Sequence, residues 1–140
     1  MYCSQADILD QLEEADLIRL TDDEDAGVIS TPRVDKAIAD ADAEINGYCG
    51  QRYRVPFEPV PELVRKFSVD IAIYNLFARR PLIPDDRRGR YRDVIAFLRL
   101  LAAGTVTLGV EDPEGTPVPA DRPCVTGPQR VFSRAKLGGW

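Results

Sequence analysis

Histidine does not occur anywhere in this 140-residue chain. The commonest general base and the commonest transition-metal ligand are therefore both missing, and any enzyme reading has to rest on carboxylates. Three phosphate and acyl-transfer signatures are also missing: G-x-x-x-x-G-K-[ST], G-x-G-x-x-G and G-x-S-x-G. No apolar run approaches the roughly 20 residues that cross a bilayer. The opening MYCSQADILD lacks the basic and apolar regions of a signal peptide, so the chain is expected to stay in the cytoplasm and to avoid membranes. Cysteine is scarce as well. Cys3, Cys49 and Cys124 are odd in number and far apart, without C-x-x-C, and they read as reduced thiols rather than as a disulfide framework or a zinc site. These gaps predict a protein that is not an enzyme and holds no cofactor or metal.

What remains is ordinary in amount and uneven in place. At 44% hydrophobic and 29% charged residues, the chain has the composition of a globular domain long enough to bury a core of its own. Its net charge of −5 is concentrated at the front. Residues 1–30 hold nine acids and one base, Arg19, a net −8; residues 31–104 hold 13 bases and 10 acids, a net +3; residues 105–140 balance at four of each. An acidic head on a mildly basic body suits attraction between copies of one chain better than a grip on a phosphate backbone.

Along the chain, Ser4 and Asp7 form a variant capping box for a short helix carrying Ile8, Leu9 and Leu12, and Asp16 to Leu20 adds a further turn. TDDEDAG then breaks the pattern. Its carboxylates raise the question of a divalent metal, but the run lacks the spacing of a calcium loop and reads as a solvated acidic loop. Thr31-Pro32 predicts a helix start, with a hydroxyl cap followed by proline in the first turn. Val34, Ile38, Ala41, Ile45 and Tyr48 make one apolar stripe along that helix, and Ala37, Ala39, Ala41 and Ala43 permit close approach by a neighbouring helix. Pro61 opens the next helix, with Leu63, Val64, Phe67, Ile71, Tyr74 and Ala78 on one face. Val69, Ile73, Leu76 and Phe77 widen that face, so it is expected to be the most buried element. Pro84-Asp85-Asp86 starts the last helix, with Tyr91, Val94, Ile95, Leu98 and Leu101 at helical spacing and Gly104 at the position of a left-handed cap. TVTLGV is β-like. The final PQRVFSRAKLGGW carries three bases, no acid and the large apolar residues Val131, Phe132 and Trp140, which it cannot bury alone. The predicted fold is a mainly α bundle of about four helices over residues 1–104, with an extended, partly β-like C-terminal arm over 105–140.

Three residue groups are candidates for function. Asp40, Asp42 and Glu44 could pair as general acid and base, but a charged, exposed helix face explains them without a reaction and is favoured. Arg87, Arg88, Arg90 and Arg92 form a basic run. A nucleic-acid site built on it would need stacking partners, whereas Tyr91 is sent to the core and Asp85, Asp86 and Asp93 dilute the charge; an ion-pair face toward another subunit or solvent is favoured. Tyr48, Arg52 and Tyr53 lie at i, i+4 and i+5. If the helix persists they share one side, and tyrosine and arginine are the residues that dominate protein contact centres. The plain alternative has the arginines complementing the helix C-terminus.

The run ADADAEINGYCGQRYRVPF, the PELVRK that follows, RYRDVIAFLRLLAAG and the terminal VFSR resemble the small virion-assembly family typified by a protein of Mu-like phages and prophages. The residues that match are Glu44, Ile45, Gly47, Tyr48, Arg52, Tyr53, Pro56, Tyr91, Leu98, Gly104, Phe132, Ser133 and Arg134, while Cys49 stands where a leucine is expected. The resemblance implies a head–tail connector, an adaptor or head-completion protein at the virion neck, assembled in the host cytoplasm. Such proteins are small helical bundles that are monomeric in solution, form a ring, often of twelve copies, under the portal, and have no known enzymatic activity or cofactor. The expected partners are further copies of the chain, the portal and tail-completion proteins, with DNA only as passing cargo between walls too poorly cationic to hold it. The expected contact residues are Tyr48, Arg52, Tyr53, Arg87, Arg88, Arg90, Val131, Phe132, Ser133, Arg134 and Trp140. The rivals are a nucleic-acid-binding regulator acting through Arg87–Arg92 and a metal-dependent hydrolase using the acidic loop.

Overall fold

The first helix starts as its sequence predicts. The Asp7 N–H donates to Ser4 Oγ at 3.3 Å, and Asp7 Oδ2 accepts from the Ser4 N–H at 2.7 Å, closing a reciprocal capping box. In the computed structural model, which describes residues 1–110, this helix is α1 (Gln5–Leu9). It is followed by α2 (Glu14–Thr21), α3 (Thr31–Cys49), α4 (Glu62–Ala78) and α5 (Asp85–Ala103). The mainly α fold is as expected, with one helix more. The turn at Asp16–Leu20 is a separate eight-residue helix, because Leu17 and Leu20 are buried on one side of it.

Serine 30, rather than Thr31, caps α3, and its side chain makes no capping bond. Its N–H donates instead to Thr21 Oγ1 at 3.2 Å, while that hydroxyl donates to the Leu17 carbonyl at 2.8 Å. The end of α2 is thereby tied to the start of α3, and Pro32 sits in the first turn, where a missing N–H leaves no bond unmade. The apolar stripe then behaves as its spacing demands: Val34, Ile38, Ala41 and Ile45 are all fully buried. Of the four alanines, Ala37 and Ala41 turn inward, and Ala39 and Ala43 stay exposed.

Nine of the 17 residues of α4 are buried, more than on any other helix, as its wide apolar face predicts. It packs against both α3 and α5, which also touch each other; α1 rests on α3 and α4, and α2 on α4. The core between them is continuous. The aromatic ring of Tyr91 stacks on Tyr74 at a centroid distance of 4.0 Å, and its hydroxyl donates to Glu44 at 2.8 Å, so one side chain joins α5 to α4 and α3.

Helix α5 ends as expected at Gly104, whose φ of 80° is the left-handed cap conformation. The Thr105 N–H returns to the Leu100 carbonyl at 3.0 Å. Beyond it, residues 105–110 run without regular structure, and the rest of the arm lies outside the described residues. Among the described residues there is no strand, since no partner edge is offered; Val106 and Leu108 instead half-bury against the helical core.

Candidate functional site

The helix α3 stops at Cys49, so Tyr48, Arg52 and Tyr53 do not share a helical face. The chain turns, with the Arg52 and Tyr53 N–H groups both donating to the Cys49 carbonyl at 3.0 and 2.9 Å. Tyr48 packs half-buried on the core. The ring of Tyr53 is only 5% exposed and packs against Phe57 at 5.9 Å; its hydroxyl accepts from the Leu108 N–H at 3.1 Å. The Arg52 guanidinium lies directly over Gly104, where an added Cβ would fall 1.5 Å from one of its nitrogens. Its charge is thus placed at the C-terminus of α5, not of α3, where it complements the unpaired carbonyls. Arg52 and Tyr53 together clasp the segment through which the chain leaves its helical body.

The basic run on α5 divides by direction. Arg87 turns in: its side chain is 15% exposed, and it donates to the Gln11 carbonyl at 3.2 Å. Arg90 donates to Gln11 Oε1 at 3.2 Å and lies 3.9 Å from Asp70. Both therefore reach the turn after α1, and Arg90, though exposed, also faces Asp70 of α4. Arg88, Arg92 and Arg99 remain exposed, spaced so that they line one outer face of α5 with Ala96 and Ala103. The contact residues Val131, Phe132, Ser133, Arg134 and Trp140 lie outside the described residues.

The carboxylates of α3 do not converge. Asp40 pairs with Lys36, Asp42 accepts from the Tyr2 N–H at 2.9 Å and from the Ser68 hydroxyl at 2.8 Å, and Glu44 accepts from Tyr91. In the acidic loop, Asp22 accepts backbone N–H groups from Glu24, Ala26 and Gly27, which hold its carboxyl below the usual range. Asp23 binds Arg33, Arg79 and Arg80 at 3.1, 2.5 and 2.9 Å. Desolvation pushes its carboxyl up, but the Arg79 hydrogen bond and the three guanidinium charges together hold it down. The loop is thus a clamp between the end of α4 and the start of α3. The thiols of Cys3 and Cys49 are buried, which pushes both up to about 11 and leaves them poor nucleophiles.

Asp70 is the residue that sequence reasoning missed. It sits inside the most apolar helix, 7% exposed, and its Oδ1 has no hydrogen-bond partner. Burial raises its carboxyl pKa, against the opposing charges of Arg90, Lys66 and Arg87. The available signal was a lone acid within FSVDIAIYNL. Because the folded pKa is raised, the native state favours the proton-bound form. Ionisation of Asp70 therefore lowers stability as pH rises from the ordinary carboxylate value toward the folded one. Replacing it by Asn, which keeps the shape but removes the charge that burial disfavours, is expected to stabilise the protein by about 1 kcal/mol at pH 7. That gain should shrink to nothing as the pH falls to roughly 4, where the aspartate of the unfolded chain is protonated. Denaturant unfolding at both pH values measures it, and an Asn variant less stable at pH 7 would contradict the account.

A sequence model of the family described as "Bacteriophage Mu, Gp36" matches residues 2–126. The chain is also similar to the "Mu-like prophage FluMu protein gp36" of Haemophilus influenzae, at 34% identity over 92 residues, which cover 66% of this chain and 64% of that protein. It is similar to "Gene product J" of Escherichia phage Mu, at 30% identity over 105 residues, covering 74% of this chain and 73% of the phage protein. The chain thus spans slightly less than two thirds of the length of the Haemophilus relative.

Proposed function

The chain belongs to the Bacteriophage Mu Gp36 family and is a phage protein, and from that membership we propose that it is a structural protein of the head–tail junction. In this reading it assembles as a ring at the portal, meets portal and tail-completion proteins, lets DNA pass as cargo, and catalyses no reaction. Its place is the virion neck, reached from the host cytoplasm. No helix among the described residues is long and apolar enough to cross a membrane.

The observation that supports ring formation is the pair of outer faces on α3 and α5. Helix α3 presents Ala39, Ala43 and Gly47 to solvent, a stripe with almost no side-chain bulk. Its exposed charges are Asp35, Lys36 and Asp40, a net −1, since Asp42, Glu44 and Arg33 are engaged within the fold. Helix α5 carries five bases and three acids, a net +2, with Arg88, Arg92 and Arg99 facing out. A small-residue face lets a second helix approach closely, and opposite charge fixes which helix that is. The α5 of one copy against the α3 of the next is a head-to-tail contact, which closes into a ring when its rotation permits.

Light scattering from micromolar to near-millimolar concentration tests this. The wild type is expected to shift toward a ring-sized mass. Arg92→Glu combined with Arg99→Glu should weaken that shift by roughly tenfold at low salt, because like charges then meet across the contact. Asp35→Lys with Asp40→Lys in the same chain should restore it in part. If the arginine face instead binds duplex DNA at physiological salt, with the steep salt dependence of phosphate neutralisation, the regulator reading replaces this one.

A further inference from the structure

A groove of about 650 Å³ opens between α2 and the turn after α4. Its floor is apolar, formed by Ile18, Leu20 and Phe77, with Pro81 and Leu82 on its rim. Leu82 is 83% exposed, more than any other large apolar side chain among the described residues. It stands between Pro81 and Pro84, whose rings fix φ on either side of the short turn and hold the leucine outward. Exposing a leucine on a stiff turn, beside a concave apolar floor, is the pattern of a contact surface rather than of a scattered surface residue.

The groove's own lining sets two acids, Asp22 and Asp25, against Arg19 and Arg80, and the excess of acid lies in the sequence that flanks it. Residues 13–25 bring seven acids, and the arginines at hand are Arg19, Arg33, Arg79 and Arg80, so the neighbourhood keeps a net −3. Three of those four arginines are held on Asp23, and Asp22 is occupied with backbone N–H groups. Glu13, Glu14, Glu24 and Asp25 form no ion pair among the described residues. This flank therefore attracts a cationic segment that also carries apolar anchors.

This chain contains such a segment. Residues 128–140 carry Arg130, Arg134 and Lys136 with no acid, a net +3, together with Val131, Phe132 and Trp140. The 17 residues from 111 to 127 can span up to roughly 60 Å when extended. The radius of gyration of a 110-residue body is only about 13 Å, so the tether reaches well past its own body. We infer that the groove between α2 and the α4–α5 turn receives residues 128–140 of a neighbouring copy, with aromatic anchors between the Phe77 floor and the Leu82 rim and the three cations over the acidic loop. The inference rests on the ring reading above and gives that ring a second joint, separate from the α3–α5 contact.

A photo-reactive phenylalanine analogue placed in the full chain, at position 132 and separately at position 140, tests it. Isotopically labelled and unlabelled copies are mixed, irradiated, and the cross-linked peptides mapped by mass spectrometry. The expected cross-links fall on Ile18, Phe77 or Leu82 and join labelled to unlabelled copies. Their yield is expected to drop at least fivefold in Leu82→Asp and in Glu24→Lys/Asp25→Lys, whose altered side chains are exposed and should leave helical circular dichroism unchanged. Cross-links on another surface, or within single copies only, overturn the inference. A ring-sized mass with cross-links elsewhere would sink the groove and leave the ring standing. Groove cross-links between copies that never pass a dimer would do the reverse.

Discussion

A chain ending at Gly127 is expected to keep its helical circular dichroism and its unfolding midpoint to within a degree or two, while losing its ring-sized species. The fold should survive because the apolar core draws its side chains from Tyr2 to Leu108, and Tyr53 and Arg52 already secure the segment leaving α5. Assembly should fail because the deleted residues carry the only strongly apolar and basic stretch after Gly104. An extended arm loses conformational entropy when it docks, so each single contact is weak. A ring multiplies that contact around its circumference, and removing the arm from every copy removes the multiplication as well. Size-exclusion chromatography with light scattering at matched concentrations reads the outcome. A truncated chain that has lost its helical signal would mean that residues 128–140 belong to the folding unit.

The second large effect is expected in the core. Ile71→Ala should destabilise the protein by about 3–4 kcal/mol, through lost transfer energy together with the cavity left behind. Ile71 is fully buried on α4, the helix that contacts α3, α5, α1 and α2, so few neighbours are free to collapse into the space. Small domains have stabilities of roughly 5–15 kcal/mol, and this one substitution would consume a large part of that. Chemical denaturation at pH 7 measures it. A loss below about 1 kcal/mol would show that the helices slide to refill the site. Outer-face changes such as Arg92→Glu act in the opposite sense, leaving stability alone and altering association.

Much of the fold was legible because each helix announces itself locally. The Ser4/Asp7 box, Pro32 and the left-handed Gly104 are governed by backbone geometry within one turn. The stripe from Val34 to Ile45 is governed by helical period alone. The contact residues were less legible, for a definite reason. Spacing says which residues share a helix face only while the helix lasts, and α3 ends one residue after Tyr48. Arg52 and Tyr53 then meet Gly104 and Leu108, which lie more than fifty positions away in sequence. The same holds for Arg87 and Arg90, whose partner Gln11 is near the other end of the chain.

By itself, the sequence determined the helix positions, the buried stripes, the separation of charge and the resemblance that the family match bears out. These depend on local periodicity, composition and residue order. The tertiary structure alone decided which arginines of the α5 run face outward and which are tied to Gln11 after α1, and which alanines of α3 remain open. It also decided that Asp23 joins Arg33 of α3 to Arg79 and Arg80 just past α4, and that Asp70 lies buried without a full partner. A side chain's charge is written in its sequence, but its partner is set by which helices pack together, and that packing is fixed only when the whole core forms.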